Sequence, residues 1–313
     1  MNPSVGKRGG WEDVLLRASV LAIRRSMTTL SNRVCTHALF GIVAAFLLVF
    51  GPTLQAADPL KILLITGGCC HDYDEQKDIL KKGLEARAHV VVDQVHTSDK
   101  STRPPLAILG NPNYAAGYDL VIHDECGAGL SDEAQVRAVL KPHQNGIPGV
   151  NLHCAMHSYR IGNPRDPVTP GTAHGLWFEY LGIQSSGHGP HEPIDVRFTD
   201  AKNPITDGFA AWRTQKEELY NNIKVFDSAT PLASGKQVVR RRNGEERVDE
   251  AVVVWSNEYG PKKTKVFSTT LGHYSETVGD TRYLDLVTRG LLWATGHLRS
   301  DGKPAQGYGP GGK

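Results

Sequence analysis

The sequence predicts an α/β protein built on a flavodoxin-like, doubly wound and mostly parallel sheet. Short apolar runs alternate with amphipathic segments of helical period, which is typical of parallel strands that helices bury on both faces. Three of the runs break abruptly into histidines, cysteines and acids, as strands do when they carry reactive groups at their carboxyl ends. These are Lys61–Thr66 before His71 and Asp72, Asp119–Ile122 before His123–Cys126, and Gly149–Leu152 before His153–Arg160.

The elements follow from periodicity and from helix-end signals. In the first half, strands are predicted at Lys61–Thr66, Val90–Val95, Asp119–His123 and Gly149–Leu152. The helices between them are predicted at Asp74–Ala88 and Ser131–Leu140, the latter with Ser131 as its N-cap. The less regular second half is predicted to contain strands Ile194–Phe198, Ala251–Trp255 and Lys265–Thr270, a hairpin around Asn243-Gly244, and a closing helix Tyr283–Ala294.

A flavodoxin-like sheet of order 2-1-3-4-5 places the ends of strands 1, 3 and 4 side by side, where ligands bind. We therefore expect His71, Glu125, His153 and His157 to share one pocket. His153 and His157 are four residues apart, so a helix that begins at the strand end would carry both on one face. Such a pair could bind a divalent metal such as zinc, act as metal-free acid/base or ligand-binding groups, or be structural.

The composition excludes one class of partner. The 35 basic and 33 acidic residues nearly balance, whereas a nucleic-acid partner requires a basic face. Of the 5 cysteines, Cys35 lies in the N-terminal region, and the other four show no CxxC metal motif. These four, Cys69, Cys70, Cys126 and Cys154, could pair in an exported protein.

Residues 1–56 have the pattern of a basic region followed by a secretory signal. Ala38–Phe50 is uncharged and apolar but shorter than the roughly 20 residues of a membrane span. The expected result is cleavage after Ala56 and a periplasmic or secreted protein; an uncleaved membrane anchor at residues 38–54 is the alternative. Translation could begin at Met1 or Met27. We expect one domain at residues 57–300 and a disordered tail at 301–313, which is rich in Gly, Pro and Lys.

Several motifs in a fixed order resemble the ThuA-like (trehalose utilisation) family. They are Thr66-Gly67-Gly68 with His71-Asp72, Leu152–Ser158, Asn203–Thr206, Glu217–Tyr220, Leu271–His273 and Gly290–Ala294. The resemblance spans Lys61–His297 and implies a fold like that of class I glutamine amidotransferases, together with a link to carbohydrate metabolism. It also implies site roles for Glu218, Tyr220 and His273.

The first functional hypothesis is an enzyme, a hydrolase or lyase, that acts on a sugar or sugar derivative by histidine acid/base chemistry, with or without a metal. The expected catalytic residues are His153, His157 and Glu125. The expected substrate-binding residues are His71, Asp72, Arg160, His188, Glu218, Tyr220 and His273. Asp72 is also expected to cap a helix, and His188 and His191 to lie in a flexible loop that could act as a lid.

Two alternatives belong to other classes: a non-catalytic carbohydrate-binding module, and a cysteine-dependent amidase or peptidase. A nucleophile elbow needs small residues two positions before and after the nucleophile. Leu152 and Met156, which flank Cys154 at those positions, are bulky, whereas the positions around His153 are small. We therefore predict that Cys154 is not a nucleophile. The oligomeric state stays open.

Overall fold

The parallel part of the sheet carries the strand ends predicted to form the site. The computed structural model describes residues 57–199, 202–240 and 242–313. Its parallel strands are β1 (Leu60–Gly68), β2 (Val90–Thr97), β3 (Leu120–Cys126), β4 (Gly149–Leu152) and β9 (Thr264–Thr269). They lie in the order β2-β1-β3-β4-β9, which contains the expected order 2-1-3-4. Every residue of β3 and β4 is buried, so both faces of the sheet are covered.

Four antiparallel strands extend the sheet beyond β9. They are β5 (Ile183–Phe198), β6 (Trp212–Val225), β7 (Ala229–Arg240) and β8 (Glu246–Tyr259), in the order β9-β8-β7-β5-β6. The sequence did not predict β6 and predicted only the end of β5. The segment expected to be a loop with His188 and His191 is part of β5, where register shifts bulge the strand around both histidines.

Helices pack on the two faces of the parallel strands. α1 (Tyr73–Glu85) lies with β1 in one apolar core, and α2 (Glu133–Gln144) and α3 (Leu176–Leu181) lie in the other. The short α4 (Ser275–Val278) and the long α5 (Thr281–Ala294) follow β9, and α5 joins the core of α1. The predicted N-cap of α2 was one residue early, because the Asp132 carboxylate accepts the Gln135 N–H at 2.9 Å.

The end of β1 depends on Gly67 and Gly68. Both have positive φ, of 125° and 103°, in which a side chain would be strained. A Cβ on Gly67 would also clash with the carbonyl of Thr97, and one on Gly68 with the carbonyl of Cys126. The two glycines therefore let β1 turn tightly toward His71 between its neighbours β2 and β3.

Residues 301–313, expected to be disordered, are packed onto the domain. The N–H of His89 donates to the carbonyl of Tyr308 at 3.0 Å, and the Tyr308 ring lies 3.8 Å from the ring of His297. Tyr308 supplies the apolar contact that composition alone does not reveal. No helix in the described residues is long and apolar enough to cross a membrane. The predicted signal or anchor at residues 1–56 lies outside those residues.

Candidate functional site

Three imidazoles meet at the carboxyl ends of neighbouring strands. His71 follows β1, His153 follows β4, and His273 follows β9. The His71 ring centroid lies 4.7 Å from that of His153 and 4.6 Å from that of His273, and the latter two are 5.3 Å apart. The parallel strand order therefore gathers residues that are up to 202 positions apart.

The carboxylate of Glu218, on β6, completes this cluster. Its Oε2 lies 3.3 Å from His153 Nε2 and 3.4 Å from His273 Nδ1. Its Oε1 lies 2.8 Å from His191 Nε2 and 3.3 Å from His188 Nδ1. One carboxylate, only 7% exposed, thus faces four imidazoles. We name these four imidazoles and that of His71 the histidine cluster.

The protonation of the cluster follows from its hydrogen bonds. Burial would raise the pKa of Glu218, but hydrogen bonds with His153 and His273 outweigh burial and hold that pKa well below its usual value. Burial, reinforced by His153 and His273, lowers the pKa of His71 from 6.5 to about 2. At neutral pH the cluster therefore combines a charged carboxylate with a neutral His71.

Backbone carbonyls fix the tautomers of two of the rings. A carbonyl only accepts, so His153 Nδ1, 2.6 Å from the Thr270 oxygen, carries its proton there. His71 Nδ1 likewise donates to the carbonyl of His273 at 3.3 Å. With each Nδ1 engaged by a carbonyl, Nε2 is the nitrogen left for other partners, and the Nε2 of His153 lies 3.3 Å from Glu218 Oε2. Metal-binding histidines are commonly oriented in this way by their other nitrogen.

A second, fully buried carboxylate holds the loop after β9. Glu217 Oε1 accepts the backbone N–H of His273 at 3.1 Å and that of Gly272 at 3.3 Å. The side-chain amide of Gln76 donates to the carbonyl of His273 at 3.1 Å. Glu217 and Gln76 therefore position His273. Neither residue was predicted to have a role; two adjacent acids in a strand at a family motif were the available signal for Glu217.

His157 lies next to the histidine cluster but is turned away from Glu218. Residues His153–His157 form a 3₁₀ helix, in which positions four apart do not share a face as they do in an α-helix. The His157 ring stacks on Tyr220 at 4.1 Å, and its Nε2 lies 3.0 Å from Ser185 Oγ. Burial, with Arg160 nearby, holds its pKa well below the usual value. His157 therefore faces Ser185 rather than Glu218, contrary to the expectation that it shares a helix face with His153.

Glu125 does not share the pocket of the histidine cluster. Its Oε1 accepts hydrogen bonds from Tyr159 Oη at 2.6 Å and His123 Nδ1 at 2.8 Å, and all three residues are fully buried. The Nε2 of His123 in turn lies 3.1 Å from that of His143. Successive residues of β3 face opposite sides of the sheet, so Glu125, two residues after His123, lies on the same side as His123. That side is covered by α2 and α3. This arrangement corrects the expectation that Glu125 shares one pocket with His71, His153 and His157.

The remaining expected residues surround the cluster. Tyr220 lies 5.0 Å from the His153 ring, and Arg160 donates to the carbonyl of Ser185 at 3.4 Å. Asp72 accepts the Glu75 N–H as the N-cap of α1. A cavity of about 570 Å³ opens beside His71 and His273. It is lined by Cys70, His71, Asp72, Glu75, Gln76, Lys100, His273, Tyr274, Ser275 and Glu276.

The backbone at the end of β4 places His153 at the tight turn. His153 has φ of 40°, in the left-handed region, and the small residues Asn151 and Ala155 lie on either side. Cys154, the next residue, is buried and joined to Cys126 by a disulfide.

The fold and the motifs at the strand ends define a ThuA-like protein. The model of the ThuA family, described as trehalose utilisation, matches residues 61–294, and the chain belongs to this family. A ThuA-like protein from Parabacteroides merdae shares 19% identity and a TM-score of 0.56, over 79% of this chain and 97% of its own. A second, from Bacteroides uniformis, shares 18% identity and a TM-score of 0.50, over 81% and 99%.

A more distant likeness is to a GMP synthase protein from Thermoplasma acidophilum. The identity is 11% and the TM-score 0.41, over 77% of this chain and 96% of that one. None of the curated proteins matches the chain.

Proposed function

We propose that the histidine cluster is a metal-assisted acid/base centre of an exported enzyme that acts on a sugar or sugar derivative. One observation supports a bound metal. The atoms His153 Nε2, His273 Nδ1 and Glu218 Oε2 form a triangle with sides of 3.3, 3.3 and 3.4 Å. Ligands about 2.0–2.1 Å from a tetrahedral zinc ion are separated by roughly 3.3–3.4 Å. The triangle therefore matches three corners of such a site.

The donor set also fits a divalent cation chemically. Two imidazole nitrogens and one carboxylate oxygen are the ligands typical of catalytic zinc. His71 and His191 each lie close enough to add a further nitrogen, since each belongs to a group of three ligand atoms within 4.8 Å of one another that includes His273. A bound cation would polarise a carbonyl or hydroxyl oxygen of the substrate.

The cavity beside the cluster supports a hydroxyl-rich substrate. Its lining combines carboxylates, an amide, an ammonium group and hydroxyls, with Tyr274 as the aromatic residue other than histidine. Such groups can donate to and accept from sugar hydroxyls. Half-exposed His188 and His191 lie at the outer side of Glu218, between the carboxylate and solvent. A purely sugar-binding surface would instead present a row of aromatic rings.

The test measures bound metal and turnover together. Protein supplied with zinc should carry about one ion per chain by elemental analysis. Glu218→Gln keeps the shape but removes the charge, and should lower metal affinity by at least about 100-fold. Glu192→Gln, the same change at an exposed site on β5, is the matched control and should bind metal normally.

Turnover is then screened with disaccharides, glycosides and their oxidised keto forms, using wild type, Glu218→Gln and His153→Ala. We expect activity in the wild type alone. A wild-type protein that binds no zinc, manganese or iron and keeps its activity in the presence of a chelator would contradict the proposal that a metal assists the reaction. Hydrolysis of glutamine or a peptide, with no carbohydrate bound or turned over, would contradict the sugar substrate.

A further inference from the structure

Four cysteines gather beside the histidine cluster, at the ends of β1, β3 and β4. Cys69 and Cys70 are joined to each other, and Cys126 is joined to Cys154 across a Cα–Cα distance of 5.1 Å, within the usual disulfide range. The two pairs touch, because Cys69 Sγ lies 3.4 Å from Cys126 Sγ. The proposed sugar chemistry uses none of these sulfurs.

The two pairs differ in accessibility. Cys70 is exposed and lines the 570 Å³ cavity. Cys126 and Cys154 are only 2% and 6% exposed, and they pack against the buried Tyr73. A soluble reductant therefore reaches Cys70 directly, whereas it has no comparable access to the Cys126–Cys154 bond. The Sγ of Cys69, 3.4 Å from that of Cys126, is in contact with that bond.

We propose that these four cysteines form a thiol–disulfide exchange site whose substrate is an external dithiol. A thiolate of the dithiol attacks Cys70 Sγ, forms a mixed disulfide and releases the Cys69 thiolate. The Cys69 thiolate attacks Cys126 Sγ, forms a Cys69–Cys126 bond and releases Cys154. The second thiolate of the dithiol then attacks the dithiol's own sulfur in the mixed disulfide, which forms the dithiol's intramolecular disulfide and releases the Cys70 thiolate.

The reaction balances as a two-electron reduction. The dithiol is oxidised to its disulfide, and its two protons end on Cys70 and Cys154. One protein disulfide is lost, and the other is replaced by Cys69–Cys126. The two new thiols are adjacent in sequence to His71 and His153, so the exchange delivers reducing equivalents to the edge of the histidine cluster. The proposal does not depend on the metal or on the sugar substrate.

The test maps disulfides after limited reduction of the purified protein. Protein prepared without reductant is treated with graded dithiothreitol, quenched with N-ethylmaleimide and digested for mass spectrometry. At partial reduction we expect a Cys69–Cys126 bridge, with Cys70 and Cys154 alkylated. An intact Cys126–Cys154 bridge with Cys69 and Cys70 both alkylated would overturn the proposal. Finding all four cysteines as free thiols that bind zinc, with no disulfide between any of them, would also overturn the proposal.

Two variants isolate the steps. In Cys70→Ser the Cys69 thiol is free from the start, so a Cys69–Cys126 bridge should form with no reductant added. Finding only Cys126–Cys154 there would contradict the second step. In Cys69→Ser the relay is cut, and reduction of Cys126–Cys154 should slow by about tenfold or more, because access then limits the rate. An unchanged rate would show direct reduction. Far-UV circular dichroism verifies that both variants are folded.

Discussion

At the scale of single residues, His153 shows how a backbone and one hydrogen bond decide what a ring can do. Its positive φ turns the chain at the end of β4, and the Thr270 carbonyl takes its Nδ1 proton. Nε2 is then the nitrogen that faces Glu218. Sequence reasoning identified the small neighbours of His153, but it could not supply Thr270, which is 117 residues away.

His143 gives a prediction about pH and stability. Burial, then the neighbouring His123, lowers the pKa of His143 from 6.5 to about 3. Between these values the unfolded chain binds a proton that the folded protein does not. The unfolding free energy therefore falls as pH drops below about 6.5, by up to about 1.4 kcal/mol per pH unit for this group. Above pH 6.5 the group contributes no pH dependence.

The check is urea unfolding of wild type and His143→Asn at pH 7, 6 and 5. The variant loses stability at pH 7 but should show a shallower decline toward pH 5, because one proton-binding group is missing from its unfolded state. Val139→Ala, a buried change on the same helix, is the control and should keep the wild-type pH dependence. Parallel declines in wild type and His143→Asn would contradict the assignment.

At the scale of elements, local signals located the parallel strands β1 to β4 but placed a helix start one residue early. The N-cap of α2 is the clearest case. Asp132→Ala removes the carboxylate that accepts the Gln135 N–H and should lower the unfolding free energy by about 1 kcal/mol. Ser131→Ala, at the position first expected to be the cap, is the matched control and should change it little. Equal losses in thermal or urea unfolding of the two variants would contradict this cap.

The elements also show where sequence reasoning ends. The apolar runs of β1, β3 and β4 predicted their own strands and their order, since fully buried parallel strands carry a strong local signal. β6 carries no such signal, because Glu217 and Glu218 break its apolar alternation while lying buried in the fold. The pairing of Glu218 with four imidazoles depends on contacts between distant parts of the chain.

The sheet as a whole accounts for the mixture of groups at the site. The parallel strands deliver His71, His153 and His273 from one end. The antiparallel strands β5 and β6 return over that end, where β5 contacts the 3₁₀ helix of His153. They bring Glu218 with His188 and His191 onto the outer side of the cluster. The carboxylate therefore belongs to the antiparallel part of the sheet, whereas the strand order expected from the sequence covered only parallel strands and offered Glu125 as the nearby acid.

The last prediction concerns the whole chain, for which we propose export. The basic residues Arg24, Arg25 and Arg33, the apolar run Ala38–Phe50 and the small residues at Ala56-Ala57 follow the order of a cleaved secretory signal. The apolar run is shorter than the roughly 20 residues of a membrane span, so we expect a signal peptidase to remove it rather than the run to remain as an anchor. Mass spectrometry of protein from the native host should give an N-terminus near Ala57, and replacing Ala56 with a bulky residue should block cleavage. Protein recovered from membranes with residues 38–54 intact would show an anchor instead.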